Sequence, residues 1–163
     1  MEELCSILVR YRGYTLGDVR DDVCVGTNAN GEELQIYHMH DMGIPLVKTF
    51  LNEHDGCAHG IFLYEESNSK KFGSDRVMAV QSMLREKFTK VEIIPTRMVL
   101  FNSMDVYGIR YYVDTSGVSS SGRPTLPYND HVVVQLGFQK GDLIRCEIPD
   151  VTQGLRIDYR LVA

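Results

Sequence analysis

A chain of 163 residues fits one domain or two small ones, and folding at this size removes roughly 70% of the unfolded surface from water, enough for a true core. The formal charge of -5 is unevenly spread: residues 1–66 hold 4 basic and 12 acidic side chains, while residues 67–97 hold 7 basic and 3 acidic ones, which argues against coating nucleic acid alone but permits one local contact. Four widely spaced cysteines without a CxxC pair, an N-terminus MEELC unlike a secretory signal, and no apolar run near the ~18 residues of a membrane helix point to a reduced intracellular protein with no membrane partner.

In chain order, Leu4, Ile7, Leu8 and Tyr11 recur at helical spacing and Gly13 follows, which predicts a first helix ending there. Asp18 to Asp22 reads as an acidic, solvated stretch. Asn28, Asn30 and Gly31 are turn formers, so Val23–Val25 and Leu34–Met39 read as a hairpin. Leu46, Val47, Phe50 and Leu51 form a helical apolar face that Gly56 is expected to end. Ile61–Tyr64 reads as a short buried strand. Val77, Val80, Met83, Leu84 and Phe88 make a further amphipathic helix capped by Ser74 or Asp75, leading to a strand at Val91–Ile94. Helix, strand, helix, strand in that order predicts a parallel pair with a right-handed crossover. Met98–Phe101 is expected to be one more strand. Gly108–Val113 is a strand candidate, and Thr115–Gly122 has the composition of a linker.

The last stretch, Asp130 to Val162, carries the densest pattern. Asp130 can cap a short helix with Val132, Val133 and Leu136 on one side, and Gly137 stands where a left-handed residue would stop it. Leu143, Ile144, Cys146 and Ile148 make a strand ended by Pro149, which cannot donate to a ladder. From Leu155 to Val162 the chain alternates, with Leu155, Ile157, Tyr159 and Leu161 on one side and Arg156, Asp158 and Arg160 on the other, as an antiparallel return strand would.

This stretch resembles the C-terminal domain of the fifth subunit of eukaryotic RNA polymerases, the subunit shared by polymerases I, II and III, which also has an archaeal relative. The family pattern is close to DPVxxxxGxxxGxxxxxxxPxxTxGxxxxYRLV. It is met without a gap by Asp130, Val132, Gly137, Gly141, Pro149, Thr152, Gly154, Tyr159, Arg160, Leu161 and Val162, with His131 in place of Pro and Val134 in place of the usual Arg. GIPLVKTF at Gly43–Phe50 and GIFLY at Gly60–Tyr64 are similar to the family's GVKTxKTF and GIFVY, and the tripeptide Arg12–Tyr14 also follows the family's first helix. Cellular relatives carry a longer N-terminal insertion and a longer connection between domains, so the short form would suit a large DNA virus that encodes its own polymerase.

The resemblance implies an α+β protein with a jaw-like domain at 1–102, a linker at 103–122 and an assembly domain at 123–163. It implies a non-catalytic subunit that docks on the largest polymerase subunit, beside other polymerase subunits, and helps grip downstream double-stranded DNA. Asp130, Tyr159, Arg160, Leu161 and Val162 would then meet the partner, and Lys70, Lys71 and Arg76 the DNA. The place of action would be the nucleus for a cellular protein, or the virion or a cytoplasmic viral factory for a viral one. A stand-alone DNA-binding or adaptor protein of the same fold is the alternative.

Other chemistries are weaker. His38, His40 and Asp41, with His54, Cys57 and His59 downstream, suggest a metal, yet ordinary surface histidines explain them, and no metal or other cofactor is expected. The family's jaw has been likened to restriction endonucleases, which place an acidic residue two positions before a lysine. No Asp or Glu in this chain has that spacing, nor is there a P-loop or a GxGxxG turn. The segment Asn68–Arg76 puts Lys70, Lys71 and Arg76 before a helix, where backbone amides could receive a phosphate. In the family that loop carries a TPSA-like motif and lies toward downstream DNA. The motif is absent from this chain, and a solvated basic turn accounts for the charges equally well.

Overall fold

The apolar spacing at the N-terminus becomes α1 (Glu2–Tyr11), which ends just before the left-handed Gly13. The structure, a computed structural model, describes residues 2–20, 23–65 and 74–163. The chain divides into two units, Met1–Leu100 and Phe101–Ala163. Both combine helices with a sheet, so the protein is α+β.

The first unit holds a five-stranded sheet in the order β1 (Tyr14–Arg20), β2 (Val23–Asn28), β3 (Glu33–Met39), β4 (His59–Tyr64), β5 (Lys90–Pro95). The β2–β3 hairpin forms as expected. The strands β3, β4 and β5 run parallel, joined through α2 (Ile44–Glu53) and α3 (Ser74–Leu84). Both helices cover one face, where Tyr37, Val47, Phe50, Leu51, Phe62, Val80, Leu84, Phe88 and Val91 form one buried cluster. Parallel strands added in one direction with right-handed crossovers put their helices on the same side.

Gly60 makes room in this cluster, since a Cβ there would lie 2.7 Å from the Phe88 ring. The helix α1 takes the opposite face, with Val9 Cγ1 at 3.5 Å from where a Gly26 Cβ would be. In that layer Cys5 and Cys24 share a hydrogen bond, which together with burial pushes the Cys5 thiol up and leaves it an inert core group. All four cysteines are unbridged thiols.

Two local expectations are corrected in this unit, and one gains a structural context. Asp18, read as solvated, is exposed as expected but lies in β1, whose pairing with β2 shifts register between Leu16 and Val19; Asp21 and Asp22 lie outside the described residues. A bulge breaks the period of two, so the strand does not show as alternation. Gly56 does not end α2, which stops at Glu53 with His54 extended after it. Gly56 instead lets two backbones meet, because a Cβ there would stand 1.8 Å from the Lys87 carbonyl oxygen. Met98–Phe101 is not a strand: Thr96–Met98 forms a 3-10 turn. The Thr96 hydroxyl donates to the Tyr64 carbonyl at 3.0 Å and closes the ladder there.

The second unit is a four-stranded sheet in the order β6 (Arg110–Val113), β8 (Leu143–Asp150), β9 (Gly154–Val162), β7 (Thr125–Leu126), with α4 (Ser103–Tyr107) and α5 (His131–Leu136). The α4 helix and β6 fall within the segment 103–122 expected to be a linker, and β6 pairs with β8 from Arg110↔Glu147 to Val113↔Ile144. Asn102 nucleates that segment, its side chain accepting from the Met104 and Asp105 amides. The stretch between β6 and β7 has neither helix nor strand.

Asp130 caps α5 through the Val132 amide at 2.9 Å, and Gly137 ends it at φ 72°. His131 follows the cap as the first residue of α5, and the capping carboxylate supplies the partner the first turn needs. The strand β8 runs one residue beyond Pro149, to Asp150, whose side chain then accepts from the Thr152 and Gln153 amides to make the turn into β9. Among the described residues no helix is long and apolar enough to cross a membrane.

Candidate partner interface

The second unit packs its core against one sheet face only. Leu126, Val133, Ile144, Cys146 and Val162 are buried together, with Tyr111, Phe138 and Ile148 packed on them. Direct pairing sets Ile144, Cys146 and Ile148 opposite Arg160, Asp158 and Arg156, so the charged positions of β9 share the core face of β8. The apolar positions of β9 therefore point the other way. Alternation in the sequence left open which side of the last strand packs inward.

The open face is rich in side chains that suit a protein contact. Tyr112, Arg145 and Tyr159 form one cross-strand row, and Arg110, Glu147 and Ile157 the next. Tyr112, Leu155 and Ile157 remain 46%, 50% and 42% exposed. Arg145 pairs with Glu147 at 2.9 Å, and Arg123 lies over the Tyr159 ring at 5.2 Å. Tyrosine and arginine beside aliphatic groups are the composition found at the centre of protein interfaces. A sheet with one face on its core commonly leaves the other to water, but the aliphatic and aromatic side chains on this one make it a candidate contact surface.

On the core face, beside the start of α5, a cleft of roughly 390 Å³ is lined by Phe101, Tyr107, Asp130, Cys146, Ile148 and Arg160 among others. Arg160 forms no ion pair among the described residues. Burial pushes the Cys146 thiol up, and the Arg160 charge opposes that shift. The candidate partner residues thus separate: Tyr159 and Leu161 belong to the open face, Arg160 to the cleft, and Val162 is buried core. Asp130 is a cap at the rim of the cleft.

The proposed DNA contacts are placed less fully. Lys70 and Lys71 lie outside the described residues. Arg76 is half-buried in the first turn of α3, with Nη2 3.4 Å from where a Gly43 Cβ would stand and the Asp41 carboxylate 3.6 Å from the same point. It leans toward an acidic side chain at the start of α2.

Sequence reasoning missed a polar cluster in the first unit. Glu92 Oε1 accepts from Arg12 Nη1 at 2.8 Å and from His59 Nε2 at 2.7 Å, with Lys90 Nζ at 3.2 Å. With Nε2 donating to the carboxylate, His59 Nδ1 can accept from the Tyr14 hydroxyl at 3.4 Å. The Arg12 and His59 side chains are 4% and 7% exposed. Burial acts to raise the Glu92 pKa, but the His59 hydrogen bond, the Arg12 charge and hydrogen bond and the Lys90 charge outweigh it and hold the carboxyl well below the usual range. Arg12 and Tyr14, the ends of the RGY tripeptide, thus tie the end of α1 and the start of β1 to β4 and β5. The tripeptide was the signal, but its partners are too distant in sequence to be named from it.

The other histidines do separate work. His54 stacks on Phe50 at 4.2 Å, and its Nδ1 is 3.0 Å from the Phe50 carbonyl. The Cys57 thiol donates to the His59 carbonyl. His38 and His40 lie 3.7 and 3.8 Å from one Glu65 oxygen. Among the described residues, no group of His, Cys, Asp or Glu is placed to hold a metal ion. In comparisons with known proteins, no family model and no curated protein matches the chain.

Proposed function

We propose that the chain is a non-catalytic subunit of a multi-subunit DNA-dependent RNA polymerase, with a jaw-like first unit and a second unit that docks on the largest subunit. The observation that carries this reading is the open sheet face of the second unit, within the stretch that resembles the assembly domain. A small unit with tyrosines, aliphatic residues and an arginine uncovered on a rigid sheet is suited to be one half of an interface. The resemblance supplies the identity of the other half, along with the further polymerase subunits as neighbours. Downstream duplex DNA would meet the basic segment at Lys70, Lys71 and Arg76 only within the assembly, in the nucleus, the virion or a viral factory. Magnesium and nucleotides would belong to other chains.

Co-purification tests this directly. A tagged chain expressed in its native setting should bring down two very large polymerase chains in stoichiometric amount. Recovery of the chain alone, with duplex DNA bound to it tightly, would favour the stand-alone DNA-binding or adaptor protein instead.

A further inference from the structure

The strand β9 is nine residues long, whereas its outer neighbour β7 has two, pairing only Thr125↔Leu161 and Leu126↔Val162. Which backbone groups this leaves open follows from the ladder. The Val162 amide donates to the Asp142 carbonyl and its carbonyl accepts from Gly141, both at 2.9 Å, so even-numbered residues of β9 turn toward β8. Odd-numbered residues turn toward the outer edge, where the amides of Leu161 and Ala163 donate to Pro124 and Leu126 at 3.0 Å. Leu155, Ile157 and Tyr159 therefore present amide and carbonyl groups outward, without a hydrogen-bond partner among the described residues. The chain before β7 makes no backbone hydrogen bond to them, since it closes a turn on itself with the Arg123 amide donating to Ser120, and only the Arg123 side chain lies over the Tyr159 ring.

We propose that this edge of β9 receives an extended segment of the partner as an added strand. The inference rests on the docking role proposed above and states how that docking is made. An uncovered strand edge beside exposed aliphatic side chains is a template for strand addition, and proteins normally blunt such edges. The chemistry of the occupant follows from the two faces. On the open face its side chains would lie beside Leu155, Ile157 and Tyr159, which calls for apolar residues. On the other face they would lie beside Arg156, Asp158 and Arg160. Arg156 is already 3.5 Å from Asp158, whereas Arg160 has no ion pair among the described residues, which calls for a carboxylate beside it. The occupant is an extended segment alternating apolar and acidic residues. The edge of β6 offers only four residues to such a strand.

The test uses the full chain reconstituted with the largest polymerase subunit, read by residue-resolved hydrogen exchange. The expected result is protection of the Leu155, Ile157 and Tyr159 amides in the complex. Ile157→Pro removes one outward donor without removing a bond to β8 and should weaken the complex about tenfold. Arg160→Glu should weaken it while leaving the edge amides intact. A stable wild-type complex in which these amides exchange as in the isolated chain overturns the proposal and leaves the docking role standing. If no complex forms, the docking role fails, and a capped synthetic strand alternating valine with glutamate decides the edge by itself: protection of the three amides, stronger than with a valine–lysine strand, supports it, and none overturns it. A dimer of the chain alone that protects the same amides would make a second copy the occupant and overturn the partner assignment.

Discussion

Arg12 and Glu92, 80 residues apart, meet at 2.8 Å and fasten the end of the first helix to the last strand of its sheet. Because Arg12 and His59 both donate to this carboxylate, its removal would take a charged acceptor from two largely buried side chains.

Glu92→Gln should therefore destabilise the first unit by about 3 kcal/mol at neutral pH. The pH dependence has a definite sign. A carboxyl held below its ordinary value of 4.5 contributes stability that is fully present above that value and is lost as pH falls through the folded pKa. The wild-type advantage over Glu92→Gln should shrink in acid. Urea midpoints of both proteins, measured at neutral pH and at several acid values, check this, and a constant gap would show that the carboxylate charge is not what matters.

Gly56 should tolerate no side chain. A methyl group at 1.8 Å from the Lys87 carbonyl oxygen must push apart the segments that follow α2 and α3. Gly56→Ala is expected to cost about 3 kcal/mol, at the upper end of overpacking changes. The conformation is otherwise ordinary, so denaturant unfolding of this single variant isolates the steric effect. A change under about 1 kcal/mol would be too small for backbones in such close approach.

On the open sheet face, Tyr112→Ala should separate binding from folding. Tyr112 is 46% exposed, so stability should change by only about 0.5 kcal/mol, whereas loss of an interface tyrosine should weaken incorporation into the polymerase about tenfold or more. Quantitative pull-down beside thermal melting reads both. Unaltered incorporation would remove this face from the interface.

The basic segment should act weakly and without regard to sequence, because lysines meet phosphates as point charges. Lys70→Ala combined with Lys71→Ala should lower the assembled polymerase's affinity for downstream duplex and reduce the salt slope by about 2. The isolated chain, with about three clustered cations, should bind duplex more weakly than roughly the 10⁻⁴ to 10⁻⁶ M usual for non-specific binding. Salt titrations of the assembly and of the chain alone measure both, and an unchanged slope in the double variant would mean that this segment is a solvated turn.

What the sequence by itself determined is local. Asp130 before Val132, Val133 and Leu136, with Gly137 after them, specifies a capped helix because each requirement lies within a few residues of the next. The β2–β3 hairpin, most of the buried faces of α2 and α3 and the β8–β9 return were legible for the same reason, although Leu46 is 51% exposed and Phe88 lies beyond the end of α3. Tertiary structure decided what depends on register and on distant partners. A bulge hid β1 from any test of alternation, while β6 falls inside the strand candidate Gly108–Val113 and only its pairing with β8 came from tertiary structure. The polar cluster required Arg12, Tyr14, His59 and Glu92 to be gathered from separate elements. The candidate interface shows the limit most clearly: alternation showed that Tyr159 and Arg160 face opposite ways, but not which side is covered. That choice followed from the pairing of Cys146 with Asp158, which put the core on the charged side of β9 and left its apolar side open.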